Sequence, residues 1–103
     1  MALKVSLSAH ARVKLKERKL SIRIVSKVLA APQLEYYDIA LGAHISIARV
    51  QQFGEAIHLV VVYRRNGDRF HVVTAYPVKD ISSETQRKLK GGRWMPTAAE
   101  GHR

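Results

Sequence analysis

Hydrophobic spacing changes character about a third of the way along the chain. Residues Lys4 to Leu7 alternate polar and apolar, as a short strand or an extended lead-in does. Ser8 then offers a short side-chain oxygen for the free N–H groups at a helix start, which predicts a helix over about 9–19. Ser21 repeats the signal ahead of Ile22, Val25, Val28 and Leu29, whose spacing predicts a second helix over about 22–30, closed by Pro32. The short connection between them predicts an αα-hairpin. From there the period falls to two. Leu34–Tyr37 and His44–Phe53 read as strands, and Ile57–Tyr63, apolar on both faces, reads as a central one. Asn66-Gly67 is a hairpin-turn signal, because both positions of such a turn favour positive φ. Arg69–Tyr76 returns as the next strand, with Pro77 expected to stop its pairing. Ser82 or Ser83 is expected to cap a short basic helix over about 84–90 before Gly91-Gly92, and residues 97–103 read as a flexible tail. The expected fold class is α+β: one domain over 1–96, with an N-terminal αα-hairpin packed on an antiparallel β-meander of three to four strands.

A two-residue loop at Asn66-Gly67 would pair Arg65 with Asp68, Tyr63 with Phe70, Val61 with Val72, Leu59 with Thr74 and Ile57 with Tyr76. The opposite face would then carry Val60, Val62, Val73 and Ala75, smaller residues suited to lying under helices. The Thr74/Tyr76 face is expected to be the open one. Arg49 takes no assignment, since the loop around Gly54 can be even or odd in length and a one-residue slip moves every side chain across.

Charge changes the picture from fold to partner. Eighteen Lys and Arg against eight Asp and Glu give +10 at pH 7, which points to nucleic acid, an anionic membrane face or an acidic protein. No apolar run approaches the length that crosses a bilayer; no membrane is expected as a partner, and the absence of cysteine fits the cytoplasmic location that is expected. The chain has no cysteine, which removes disulfides, thiolate chemistry and Cys-based zinc sites. There is no phosphate-binding glycine loop, no GxSxG and no paired-carboxylate site. No metal site and no cofactor are expected.

His10, Lys14 and Arg18 stand at i, i+4 and i+8, a single stripe on the first helix, with Arg12 and Lys16 beside it. His10 falls in the first turn, where free N–H groups favour an anion. A solvated basic helix face would have the same sequence. Metal-free RNA cleavage needs a base, cations for the phosphorane and an acid; histidine suits the proton transfers and arginine the developing charge. Tyr76 is a candidate proton donor or base-stacking ring. Arg64 and Arg65 form a basic knob at the hairpin tip. Lys79, Arg87, Lys88, Lys90 and Arg93, with Trp94, mix cations and an aromatic in a way that suits phosphate contact and stacking.

Ser8-Ala9-His10-Ala11-Arg12-Val13-Lys14-Leu15-Lys16-Glu17-Arg18-Lys19-Leu20 resembles the opening S-x-H-A-x-x-R-x-x-E-R-G-I of a small bacterial and phage-associated domain family similar to RelE- and BrnT-like toxins. Val72-Val73-Thr74-Ala75-Tyr76 resembles that family's last strand, and the likeness spans about residues 5–78. The resemblance implies marked positions at His10, Lys14, Arg18, Thr74 and Tyr76. Lys14 replaces arginine and so lacks its bidentate fork; Lys19 replaces glycine at the turn. By resemblance, the expected function is a toxin of the toxin–antitoxin type, a metal-independent endoribonuclease acting on RNA, on or off the ribosome, and held by an acidic antitoxin. His10, Arg18 and Tyr76 would be catalytic. Lys14, Arg12, Arg49, Arg64, Arg65, Thr74, Lys79, Lys88 and Arg93 would bind RNA. The alternatives are a non-catalytic nucleic-acid-binding or phage accessory module and a basic subunit that docks an acidic protein.

Overall fold

A computed structural model describes residues 3–52 and 54–97. The chain runs β1 (Lys4–Leu7), α1 (Ala9–Glu17), α2 (Ile22–Ala30), β2 (Leu34–Asp38), β3 (Ala43–Gln52), β4 (Glu55–Asn66), β5 (Arg69–Val78), α3 (Ile81–Lys90) and β6 (Trp94–Pro96). The α+β class holds, but the sheet is larger than a three- to four-stranded meander. Its order is β1-β5-β4-β3-β2-β6. The antiparallel run β2 to β5 gains β1, parallel to β5, on one side and β6, antiparallel to β2, on the other.

Local chemistry explains both helix starts. Ser8 Oγ accepts from the Ala11 amide at 3.0 Å, and Ser21 Oγ accepts from the Ile24 amide at 3.2 Å. The helices do not close into the expected hairpin. Instead α1 lies on β5 and β1, and α2 lies on β3 and β4. The reason is the narrowness of their apolar faces: α1 buries Ala11 and Leu15, α2 buries Val25, Val28 and Leu29, and the sheet takes all of them. At the end of α1 the Leu20 amide donates to the Leu15 carbonyl (2.9 Å) and the Lys19 amide to the Lys16 carbonyl (3.2 Å). This is a Schellman ending, with Leu15 and Leu20 both in the core beneath it. It forces Lys19 to φ +55°, a conformation that costs a side-chain-bearing residue about 1 kcal/mol relative to glycine. Lys19→Gly is therefore expected to raise stability by about 1 kcal/mol, read as a higher urea midpoint with an unchanged m-value.

The hairpin corrects the expected register. The loop residues are Gly67 (φ +66°) and Asp68, so Asn66 pairs with Arg69 and Tyr63 with Val72. That shift of two leaves the same residues sharing a face as far as Tyr63 and Val72. A bulge between Val62 and Tyr63 then adds one residue on β5, so that Val61 pairs with Ala75 and Val60 with Tyr76. Beyond the bulge the phase reverses. Leu59, Val61, Tyr63, Phe70, Val72 and Ala75 pack under α1 and α2. Val60, Val62, Val73 and Tyr76 pack on the other face with Ile45, Ile47, Tyr36 and Trp94. The expected helix-covered set thus lies on the opposite face, except Ala75. Pairing also continues through Pro77, opposite Leu59, because β1 ends at the level of Val72 and, among the described residues, no outer strand lies along that stretch of β5.

The C-terminal helix begins earlier than expected. Asp80, not Ser82 or Ser83, is its cap, and its carboxylate accepts from the Ser83 amide at 3.1 Å and the Ser83 hydroxyl at 2.8 Å. The expected strand end at Phe53 and, apart from Thr97, the expected tail over 97–103 with His102 lie outside the described residues.

Candidate nucleic-acid interface

The first-helix stripe lies along the outer flank of β5. At its C-terminal end Arg18 Nη1 donates to the Ala75 carbonyl at 2.7 Å and meets Thr74 Oγ1 at 3.4 Å. One turn earlier, Lys14 Nζ sits 3.3 Å from Glu17 Oε1 in an exposed i, i+3 pair, a contact of small energetic weight. His10 is exposed in the first turn, and among the described residues it makes no hydrogen bond. No acidic residue occupies that first turn, while Arg12 and Lys16 are exposed beside the stripe. Eight residues at about 1.5 Å each separate His10 from Arg18 by roughly 12 Å. The stripe therefore spans more than one phosphate group.

Ser8 and Arg18 also close the exposed edge of the sheet. Ser8 Oγ donates to the Val73 carbonyl at 3.2 Å, and Arg18 takes the Ala75 carbonyl, so two acceptors at the bulge are satisfied from α1 and its cap. Beyond Arg18 the surface dips into a cleft of about 230 Å³ lined by Leu20, Ile57 and Pro77, with Lys79 also in its lining. His10, Lys14, Arg18, Thr74 and Lys79 thus share one flank of the molecule.

Tyr76 belongs elsewhere. It packs on the face turned away from α1 and α2, and its hydroxyl donates to Glu84 Oε2 of α3 at 3.2 Å. Burial, then the charge of Glu84 and the hydrogen bond to it, push the hydroxyl well above its ordinary value. Arg49 now takes a face. Ile47 packs with Tyr76 and its neighbours, while Ala48 and Val50 pack with the helices, so alternation sets Arg49 on the Tyr76 side, paired with His58. Arg64 donates to the Leu41 carbonyl at 3.0 Å. Arg65 donates to the Gly67 carbonyl at 2.9 Å and covers the Phe70 ring at 4.7 Å. His71 shares a 2.8 Å hydrogen bond with Ser6, joining β5 to β1, and His44 stacks on Tyr63.

Arg93 is held by a group that the sequence reading passed over. Asp38, at the end of β2, is 2% exposed. Its carboxylate accepts from Arg93 Nε at 3.0 and 3.1 Å, from Trp94 Nε1 at 3.2 Å and from the Leu41 amide at 2.9 Å. Lys88 Nζ lies 5.6 Å from the Trp94 ring centroid. Burial raises the Asp38 carboxyl, but the Leu41 amide, the Arg93 guanidinium and the Trp94 N–H outweigh it and hold the group below its ordinary value. Arg93 Nε, the Trp94 N–H and the Leu41 amide all end on one buried carboxylate, which gives the clamp a structural part. Its only sequence signal was a lone acid ahead of a glycine-bearing turn.

Among the described residues, no three His, Cys, Asp or Glu side chains gather where they could hold a metal ion, and no helix is long and apolar enough to cross a membrane. No curated protein and no solved structure matches the chain. One family model does, over residues 7–77, from the last residue of β1 through Pro77 of β5, a span that holds the whole α1 stripe and the bulge that anchors it. The chain belongs to that family, described as "Domain of unknown function (DUF4258)".

Proposed function

We propose that the chain is an RNA-binding protein of the RelE/BrnT-like toxin type, which lays the phosphate backbone of its RNA along the α1 stripe. The observation that carries this reading is the continuity of His10, Lys14 and Arg18 along one exposed flank, with Arg12 and Lys16 adjoining and Arg18 fixed against Thr74 and Ala75. A guanidinium already anchored through one nitrogen loses little freedom when its remaining N–H groups take a phosphate. The net charge of +10 supplies the long-range attraction. The opening motif and the last-strand motif support the placement among such toxins, as do two helices followed by an antiparallel run of strands.

Binding to a single-stranded RNA, followed by fluorescence anisotropy, should weaken steeply with salt. Three neutralised phosphates correspond to a log–log slope of about −2. The triple variant Arg12→Glu, Lys14→Glu, Lys16→Glu, altered only at surface positions of α1, should bind at least about tenfold more weakly. Salt-independent binding, or a variant that binds as well as the parent, would overturn the reading.

A second reading, cleavage, is favoured by one observation: the His10 imidazole is exposed and uncommitted in the first turn of α1. It is free to take a proton from a ribose hydroxyl or give one to a leaving oxygen. Tyr76 does not share that phosphate, because it faces the other way and its hydroxyl is bound to Glu84. If the chain cleaves RNA, fragments should form in EDTA and vanish with His10→Ala, while Tyr76→Phe should cleave as the parent does. RNA left intact by the parent, with and without ribosomes, removes this reading and leaves the binding one standing. Docking of an acidic antitoxin on the same basic flank is compatible with either.

A further inference from the structure

We infer that the cleft at the C-terminal end of the stripe is a subsite for one nucleobase, with a preference for guanine; this rests on the RNA reading above. Four features of the cleft combine. Its volume, about 230 Å³, falls below the roughly 300 Å³ at which pockets for whole small molecules begin, so it takes a single ring system. Its floor is apolar, made by Leu20, Ile57 and Pro77. One wall is the Arg18 guanidinium, whose contacts with Thr74 and the Ala75 carbonyl fix it as a flat cationic surface, and guanidinium planes are surfaces on which unstacked RNA bases lie. Lys79 lines the same cleft and supplies a second cation for the phosphate attached to a base so held.

The rim supplies the choice of base. Glu55 lines the cleft, and among the described residues its carboxylate takes part in no hydrogen bond or ion pair. Gln52 lines it too, and one of its two amide N–H groups is given to the Lys19 carbonyl at 2.8 Å, which holds the side chain at the rim with its oxygen and second N–H still to offer. The acceptor pair of the rim is therefore the Glu55 carboxylate. Guanine carries two adjacent donors on its pairing edge, N1–H and the 2-amino group, which match the two oxygens of a carboxylate. Uracil has one donor flanked by two carbonyl oxygens, which a carboxylate repels. A base edge held by two hydrogen bonds is discriminated from a mismatched one by about tenfold or more.

The experiment is titration of the full chain with guanosine 5′-monophosphate, uridine 5′-monophosphate and inorganic phosphate, followed by amide chemical shifts, beside the RNA measurement above. Guanosine monophosphate should bind about tenfold tighter than uridine monophosphate and shift Leu20, Gln52, Glu55 and Ile57. Glu55→Gln should erase that preference while keeping the weaker phosphate-driven affinity. Lys79→Ala should weaken both nucleotides alike, and Lys90→Ala, an equal loss of charge on α3, should change neither. Equal binding of the two nucleotides, or a preference that survives Glu55→Gln, overturns the inference. RNA binding without any nucleotide-induced shift in the cleft also overturns it and leaves the RNA reading in place. Nucleotide binding with the stated preference but no affinity for RNA supports the subsite and overturns the RNA reading.

Discussion

Asp38→Ala should lower the stability of the protein by about 3 kcal/mol, the cost of leaving Arg93 and the Trp94 N–H without the carboxylate they were folded around. The figure sits at the lower end for a broken buried pair because Arg93 is 40% exposed and recovers part of its loss from water. Urea denaturation followed by far-ultraviolet dichroism measures it. Trp94, 3% exposed in the parent, should show a red-shifted, more quenchable emission in the variant. The same group gives the protein a pH dependence of known sign. Its folded carboxyl titrates below the unfolded one, so its stabilisation is complete above the ordinary carboxylate range and drains away as pH falls through the folded value. Parent and Asp38→Asn should therefore differ near neutrality and converge in acid. A difference that persists unchanged at low pH would show that the ionised form of Asp38 is not what stabilises the clamp.

Leu59→Ala should cost a comparable amount, about 3 kcal/mol. Leu59 is 0% exposed and sits in mid-sheet between Ala48 and Pro77, on the face that α1 and α2 cover. Removing three carbons there forfeits their transfer free energy and leaves a cavity that a sheet paired on both sides cannot collapse to fill. For a chain of this size the melting temperature should fall by more than about 10 °C. Val13→Ala gives the contrast. That side chain is 53% exposed, and its truncation should shift stability by less than about 0.5 kcal/mol.

Features settled by neighbours in the chain were legible in the sequence. Ser8 and Ser21 cap their helices because a serine oxygen needs only the amide three residues on. The spacing of Val25, Val28 and Leu29 marks the buried side of α2 for the same local reason. Features that depend on distant residues were not. The bulge that sends Tyr76 away from His10 has no sequence mark, since Val72-Val73-Thr74 alternates as well with it as without it. β6 is three residues long and is defined by its pairing with β2, and the value of Asp38 lies in Arg93 and Trp94, more than fifty positions on. The stripe itself was readable from helical spacing. Its neighbour Lys79 and the anchoring of Arg18 on β5 were not, because both follow from how β5 is placed.

The parallel pairing of β1 with β5 has a consequence for the order in which the molecule assembles. Lys4 meets Arg69 and Leu7 meets Val72, so the first strand cannot join the sheet until some seventy residues have been synthesised. The platform under α1 is β5 as well, and the carbonyl that anchors Arg18 belongs to Ala75. A nascent chain shorter than this carries the basic helix without its support, and isolated helices of nine residues are marginal in water. Closing so long a loop is slow by comparison with forming the β3–β4–β5 hairpins. Assembly of the basic flank is therefore a late event, and a chain still emerging from the ribosome, itself an RNA machine, has not yet organised the surface that would hold RNA.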